Sequence, residues 1–247
     1  VCNEAVRLAK KRGFQNLSGF VNGVLRTIAR QMDQVKLPEH PLSRRLSVQY
    51  SIPEWMVETW LSSYPEETVE KMLSFMMEEH PTCIRFDPER ITKEEIKARL
   101  KEDGVEKVED HPVLPYALWI SGYDYLGGLE TFEEGLFYVQ DASSMMAVES
   151  LPVKKGDSII DVCAAPGGKA LHAAEKLAGT GHVDARDLTE YKVGLIEENI
   201  GRSGLTNISA RQQDARVCDE ASVETADIVI ADLPCSGLGV LATKKDI

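Results

Sequence analysis

The stretch Ser158-Ile159-Ile160-Asp161-Val162-Cys163-Ala164-Ala165-Pro166-Gly167-Gly168-Lys169 decides the fold. Residues 158–165 form a largely apolar run that breaks at Pro-Gly-Gly, the pattern of a buried parallel strand ending in a tight turn. A helix is predicted from Lys169 to Ala178. Small residues between strand and helix let backbone approach a ligand, and a helix N-terminus offers unpaired N–H groups. The carboxylate of a bound amino-acid moiety suits that place. From this loop alone, a tight turn with no ligand reads the same.

Downstream the rhythm continues. HVDARD (182–187) reads as a second strand, 189–203 as a helix, ISARQQ (208–213) as a third strand and DIVIADL (227–233) as a fourth. DASSMMAVESL (141–151) precedes them as a helix. Alternating strands and helices at this spacing imply a doubly wound parallel sheet. Asp187 ends the second strand, 20 residues after Gly167, where an acid commonly bonds a ribose diol. Asp214 ends the third, within reach of an adenine amino group. Each acid alone reads equally as a turn or cap residue. Together with the loop they fall on the one sheet edge where such folds bind ligands. The dinucleotide pattern G-x-G-x-x-G is absent. A P-loop fails because Ala170 follows Gly168-Lys169 and no Gly lies five before Gly168. S-adenosylmethionine remains as the cofactor.

Upstream the chain changes character. Residues 4–11 and 17–31 read as helices, the second with Leu17, Phe20, Val21, Val24, Leu25 and Ile28 on one stripe. LPEHPLSRR reads as a linker. Helical segments follow from Pro53 through Trp60 and from Glu66 to Glu79. CIRF (83–86) is a strand candidate, and 91–104 an amphipathic helix ending at Gly104. Residues 105–137 mix short apolar runs, completing a small α+β unit.

Bulk properties narrow the class. Hydrophobic residues are 43% and charged residues 28% of 247, ordinary for a globular protein. No apolar run has the length of a membrane span, and the N-terminus lacks a signal-peptide core. Five cysteines, none at C-x-x-C spacing, argue against a zinc knuckle and for reduced thiols in the cytoplasm; no metal is expected. The net charge of −12 argues against a nucleic-acid partner, but it is uneven: residues 1–45 hold nine Lys/Arg against three Asp/Glu. This reads as a basic binding arm, with Lys10, Lys11, Arg12, Arg26 and Arg30 meeting RNA phosphate, or as a solvated helix face.

Asp232-Leu233-Pro234-Cys235-Ser236-Gly237 closes the fourth strand. Cys235 reads as a small buried turn residue or as a chemical group. C5 of cytosine is a poor nucleophile. A thiolate adding to C6 makes C5 enamine-like, able to take a methyl group; loss of the C5 proton then expels the thiol. Methylation on an adenine or guanine nitrogen would need no thiol.

The run DVCAAPGGK (161–169), the acids Asp187 and Asp214, ADLPCSGLGV (231–240) and FEEGLFYVQDASS (132–144) resemble the RNA cytosine-C5 methyltransferases. SGFVNGVLRTIAR (18–30) is similar to the last helices of a NusB-type RNA-binding domain. The combination resembles the RsmB/Sun type of 16S ribosomal RNA methyltransferase over nearly the whole chain. The resemblance implies an α/β class: a Rossmann-like S-adenosylmethionine-dependent methyltransferase sheet, C-terminally truncated, after a small α+β unit and the end of an all-α NusB-like domain. The domains expected are residues 1–36 NusB-like, 37–52 linker, 53–136 the α+β unit and 137–247 the incomplete cofactor domain.

It implies further that Cys163, Ala164, Ala165, Pro166, Gly167, Gly168 and Lys169 contact the cofactor. Asp187 takes the ribose, Asp214 the adenine, and Asp232 faces the cofactor–substrate junction. Cys235 assists product release, while the attacking cysteine belongs to a Thr-Cys motif expected beyond Ile247. Thr82-Cys83 has that dipeptide but precedes the cofactor domain. The family usually has Ala where this chain has Leu233, and Thr where it has Ala170; neither change removes a charged or nucleophilic group. The partner implied is 16S-type ribosomal RNA. The alternatives are methylation of transfer RNA and a non-catalytic RNA-binding or antitermination module.

Overall fold

The computed structural model describes residues 1–34, 36–237 and 241, and its contacts divide the chain near Glu78 into two units. Among its described residues the first holds five α-helices, α1 (Cys2–Lys11), α2 (Ser18–Gln31), α3 (Leu42–Tyr50), α4 (Glu54–Ser63) and α5 (Glu66–Phe75). α1 and α2 pack together but bury no residue fully, and Leu17, Phe20, Val24 and Ile28 of the predicted stripe stay exposed. Leu46, Met56, Val57, Val69 and Leu73 form a core among α3, α4 and α5.

The expected linker at 37–52 is corrected here. Irregular chain runs only to Pro41, and α3 begins at Leu42. The prolines bias the chain towards extended conformations as far as Pro41. Beyond it Leu46 is fully buried, and Ser51, at φ 55°, ends the helix in the left-handed region. An apolar anchor outweighed the polar look of the segment.

The second unit contains two sheets. Strands β1 (Thr82–Phe86), β2 (Lys107–Asp110), β3 (Ala117–Ser121) and β4 (Phe137–Val139) form an antiparallel sheet ordered β2-β3-β1-β4. Helix α6 (Lys93–Glu102) buries Ile96 and Leu100 against Ile84, Phe86, Leu118, Ile120 and Phe137. Thr92 starts α6 with a reciprocal cap: its hydroxyl accepts from the Glu95 N–H, and the Glu95 carboxylate accepts from the Thr92 N–H. The short helix α7 (Glu130–Glu133) leads into β4, and α8 (Ala142–Glu149) leaves it.

The second sheet is parallel. It comprises β5 (Ser158–Asp161), β6 (His182–Asp187), β7 (Ile208–Gln212) and β8 (Ile228–Ile230), ordered β7-β6-β5-β8, with α9 (Gly168–Lys176) and α10 (Glu190–Ser203) between strands. This is a Rossmann-like α/β fold. Ile159, Val183, Ala185, Ile208, Ile228 and Ile230 meet Ala170, Leu171, Ala173 and Ala174 of α9 and Ile196 of α10. β5 stops at Asp161 rather than Ala165, and β8 at Ile230 rather than Leu233, so both loops at the ligand edge are longer than the apolar runs suggested.

Backbone joins the two sheets. The Arg90 guanidinium donates to the carbonyls of Gly135 and Ser203, and the Arg202 guanidinium to that of Phe132 while lying over its ring. Gly135, at φ 66°, sits so close to α10 that a Cβ would lie 2.0 Å from the Arg202 carbonyl oxygen. Gly135→Ala is therefore expected to cost more than about 1 kcal/mol, combining a disfavoured φ with a backbone collision. Urea unfolding measures it; an unchanged midpoint would mean that the approach is not needed.

Candidate functional site

The parallel strands end on one edge, and three chain segments meet there. The β5–α9 loop leaves Asp161, makes a turn in which the Gly167 N–H donates to the Ala164 carbonyl, and enters α9. Gly167 precedes the helix at φ 111°, closed to L side chains. Asp187, only 3% exposed, holds the loop from beneath. Its Oδ2 accepts from the Ala165 N–H at 3.1 Å and its Oδ1 from the Leu188 N–H at 2.8 Å, with Lys192 Nζ at 3.1 Å. Burial alone would raise this carboxyl, but the bonds from Leu188, Lys192 and Ala165 hold it below the ordinary range.

A cleft of about 220 Å³ opens over the loop. Cys163, Ala164, Ala165, Pro166, Gly168, Lys169 and Asp232 line it, together with Val139, Gln140, Asp141, Ser144 and Asp161. Lys169 Nζ donates to Asp232 Oδ2 at 2.7 Å and to Ser144 Oγ at 3.1 Å, spanning from α9 to the residue two past β8. Gly167 and Asp187 support the loop without lining the cleft.

Asp214 and Cys235 are also absent from the lining. The Arg216 guanidinium grips Asp214 in a fork with contacts of 2.7 and 2.9 Å. With the Arg216 N–H, it pulls the carboxyl down to about 2. Cys235 is exposed in the segment after β8; residues 238–240 of its motif lie outside the described residues. Cys83, the other thiol of interest, lies on β1 against the cluster of Leu114, Ala117 and Met145. Burial, then the nearby Asp141 carboxylate, pushes its thiol up, so it stays protonated. Among the described residues no group of His, Cys, Asp and Glu could hold a metal ion. Among the described residues no helix is long and apolar enough to cross a membrane.

Sequence reasoning treated Asp161 as part of the strand and passed over Gln140, Asp141 and Ser144. The position of Asp161, directly before the small-residue loop, was the available signal. The others precede the loop by about 20 residues, and only the α8 fold-back brings them in. Burial pushes the Asp161 carboxyl up to about 7, with Asp232 and Asp187 adding to the rise and the Cys163 N–H and Lys169 opposing it.

The geometry fits a ligand with one anionic and one cationic end. The free N–H groups at the start of α9 suit a carboxylate, and Asp161 and Asp232 suit an ammonium or sulfonium.

Comparison with known proteins agrees with this layout. Residues 148–247 match the model described as 16S rRNA methyltransferase RsmB/F, 52–123 a ferredoxin-like domain of RsmF/B-like methyltransferases, and 1–30 the NusB family. The probable ribosomal RNA small subunit methyltransferase B of Bacillus subtilis is 35% identical over 99% of this chain and 55% of its own length. That of Synechocystis sp. is 32% identical over 99% and 55%. The solved structure of PH0851 superposes with a TM-score of 0.81 at 26% identity, covering 96% of this chain and 53% of that one. The chain thus spans about half the length of the curated relatives it matches.

The raised Asp161 carboxyl has a consequence for stability. An unfolded chain releases this proton near pH 4, the native fold only near 7. Between these values the native state binds the extra proton, so stability falls as pH rises through the window and the loss is complete above it. Asp161→Asn should abolish that loss, making the decline in urea midpoint between about pH 5 and about pH 8 smaller than in the wild type. An equal decline in both proteins would show that Asp161 is ionised throughout.

Proposed function

Since this chain belongs to the 16S rRNA methyltransferase RsmB/F family, we propose that it carries the cofactor site of an S-adenosylmethionine-dependent methyltransferase acting at C5 of a cytosine in small-subunit ribosomal RNA. The observation that carries this reading is the cleft between the β5–α9 loop and the Lys169–Asp232 pair. When bound, S-adenosylmethionine supplies a methyl group on a sulfonium.

The residues divide the remaining work. Ala164, Ala165, Pro166 and Gly168 leave space for the amino-acid end of the cofactor beside the α9 N-terminus. Asp187 fixes the loop and takes the ribose, while Asp214 takes the adenine once Arg216 yields. Lys169 holds the Asp232 carboxylate at the junction of cofactor and base. In the reaction a thiolate bonds to C6, C5 takes the methyl group, a base removes the C5 proton, and the C6–S bond breaks to restore the ring. We assign the release step to Cys235 and the attack to a different thiol. The exposed Lys10, Lys11, Arg12, Arg26 and Arg30 of α1, its C-terminal end and α2 meet RNA phosphate.

Calorimetry with S-adenosylhomocysteine tests the cofactor assignment. The wild type is expected to bind, and Asp187→Ala to weaken binding by roughly 1–3 kcal/mol, the cost of leaving polar groups unpaired. No binding by folded wild type would reject the reading.

The thiol assignment has its own test, with ribosomal RNA that carries 5-fluorocytosine at the target. Cys235 is expected to form no covalent adduct, because fluorine blocks release only after a thiolate has attacked. An adduct that disappears in Cys235→Ser would show instead that Cys235 attacks.

A further inference from the structure

A buried arginine of the antiparallel sheet reaches the edge of the cofactor cleft. Arg85 on β1 is 1% exposed. One arm of its guanidinium pairs with Glu175 of α9, Nε donates to Gln140 Oε1 at 2.7 Å, and Tyr138 lies 4.8 Å from Cζ. Gln140 is 6% exposed, and its backbone N–H donates to the Cys83 carbonyl. Its side chain lines the cleft beside the first turn of α9: a Cβ on Gly168 would lie 3.9 Å from Gln140 Nε2.

The carboxamide has no freedom to turn over. A guanidinium offers only donors, so the amide oxygen must face Arg85 and the NH2 group must face away. That Nε2 is buried and has no partner in the protein. A buried donor without an acceptor is destabilising, and here it stands beside a helix N-terminus that attracts negative charge. The missing acceptor is an anionic oxygen.

We propose that Gln140 Nε2 binds the carboxylate of the amino-acid end of the cofactor, and that Arg85 is a positioning residue acting through Gln140 by fixing the orientation of its carboxamide. This rests on the reading of the cleft as an S-adenosylmethionine site and names the group that recognises one end of that ligand. It also makes the antiparallel sheet a working part of the cofactor site.

Two ligands separate recognition of the carboxylate from general damage. S-adenosylhomocysteine has the amino-acid end; methylthioadenosine keeps the adenosine and sulfur and lacks the carboxylate. Gln140→Leu is expected to weaken the first by about tenfold or more, one hydrogen bond to a charged group, and the second by less than about twofold. Gln140→Glu still accepts from Arg85 but has no donor and adds like charge, so its loss on S-adenosylhomocysteine should be larger. Arg85→Lys keeps a cation beside Glu175 and loses the Nε–H. It should reproduce the selective loss, and the Arg85→Lys/Gln140→Leu double variant should bind no worse than Gln140→Leu alone.

Equal losses for both ligands, or additive losses in the double variant, would overturn the proposal. If Arg85→Lys fails to fold in a thermal melt, the two Gln140 variants decide through the same pair of ligands. A wild type that binds neither ligand would instead reject the cofactor reading itself.

Discussion

The cofactor edge depends on one carboxylate held beneath a loop. The loop after β5 is made mostly of small residues, Cys163, Ala164, Ala165, Pro166 and Gly167 following Val162, and little more than the two alanines packs on the core. What fixes it is a bond from the Ala165 N–H to Asp187 at the end of the neighbouring strand, with the Ala164 N–H bonded to the Arg186 carbonyl beside it. A loop built to leave room for a ligand must be shaped by something other than its own side chains, and backbone donors are all it can offer. The order of the parallel strands, which sets β6 beside β5, is therefore a requirement of the site.

Charge is arranged around the same point. Asp161, Asp187 and Asp232 gather at one sheet edge in a chain already at −12. Lys169 and Lys192 are the nearest counterweights, each paired to one of these acids. Burial, with repulsion from Asp232 and Asp187 added to it, lifts Asp161, while Asp187 is held below the ordinary range because three donors converge on it. Two acids beside the same loop thus differ in protonation: burial dominates at Asp161, and at Asp187 hydrogen bonds and the Lys192 charge outweigh it.

Much of this was legible in the sequence, and the reasons are physical. A strand buried on both faces reads as an apolar run, so β5 was placed to within a few residues, while β6 and β7, whose sequences are largely polar, followed from the alternation of strand and helix. The loop residues followed from their size. Two kinds of feature escaped. The helix α3 was hidden because its flanking prolines and charges look like a linker, and only the burial of Leu46 discloses it. Gln140 and Ser144 were hidden because they reach the cleft through tertiary folding, which no local spacing encodes. Asp214 was legible as a strand-end acid, but its fork with Arg216 was not.

The contact between Gly135 and the Arg202 carbonyl sets a different kind of limit on the molecule. Side-chain interfaces slide when residues are exchanged, and their angle drifts with each repacking. An approach this tight between two main chains cannot drift, because neither partner has a rotamer to change. The two sheets are gauged against each other like the jaws of a caliper. Surface residues on either jaw are free to vary, while the opening between the jaws keeps its setting.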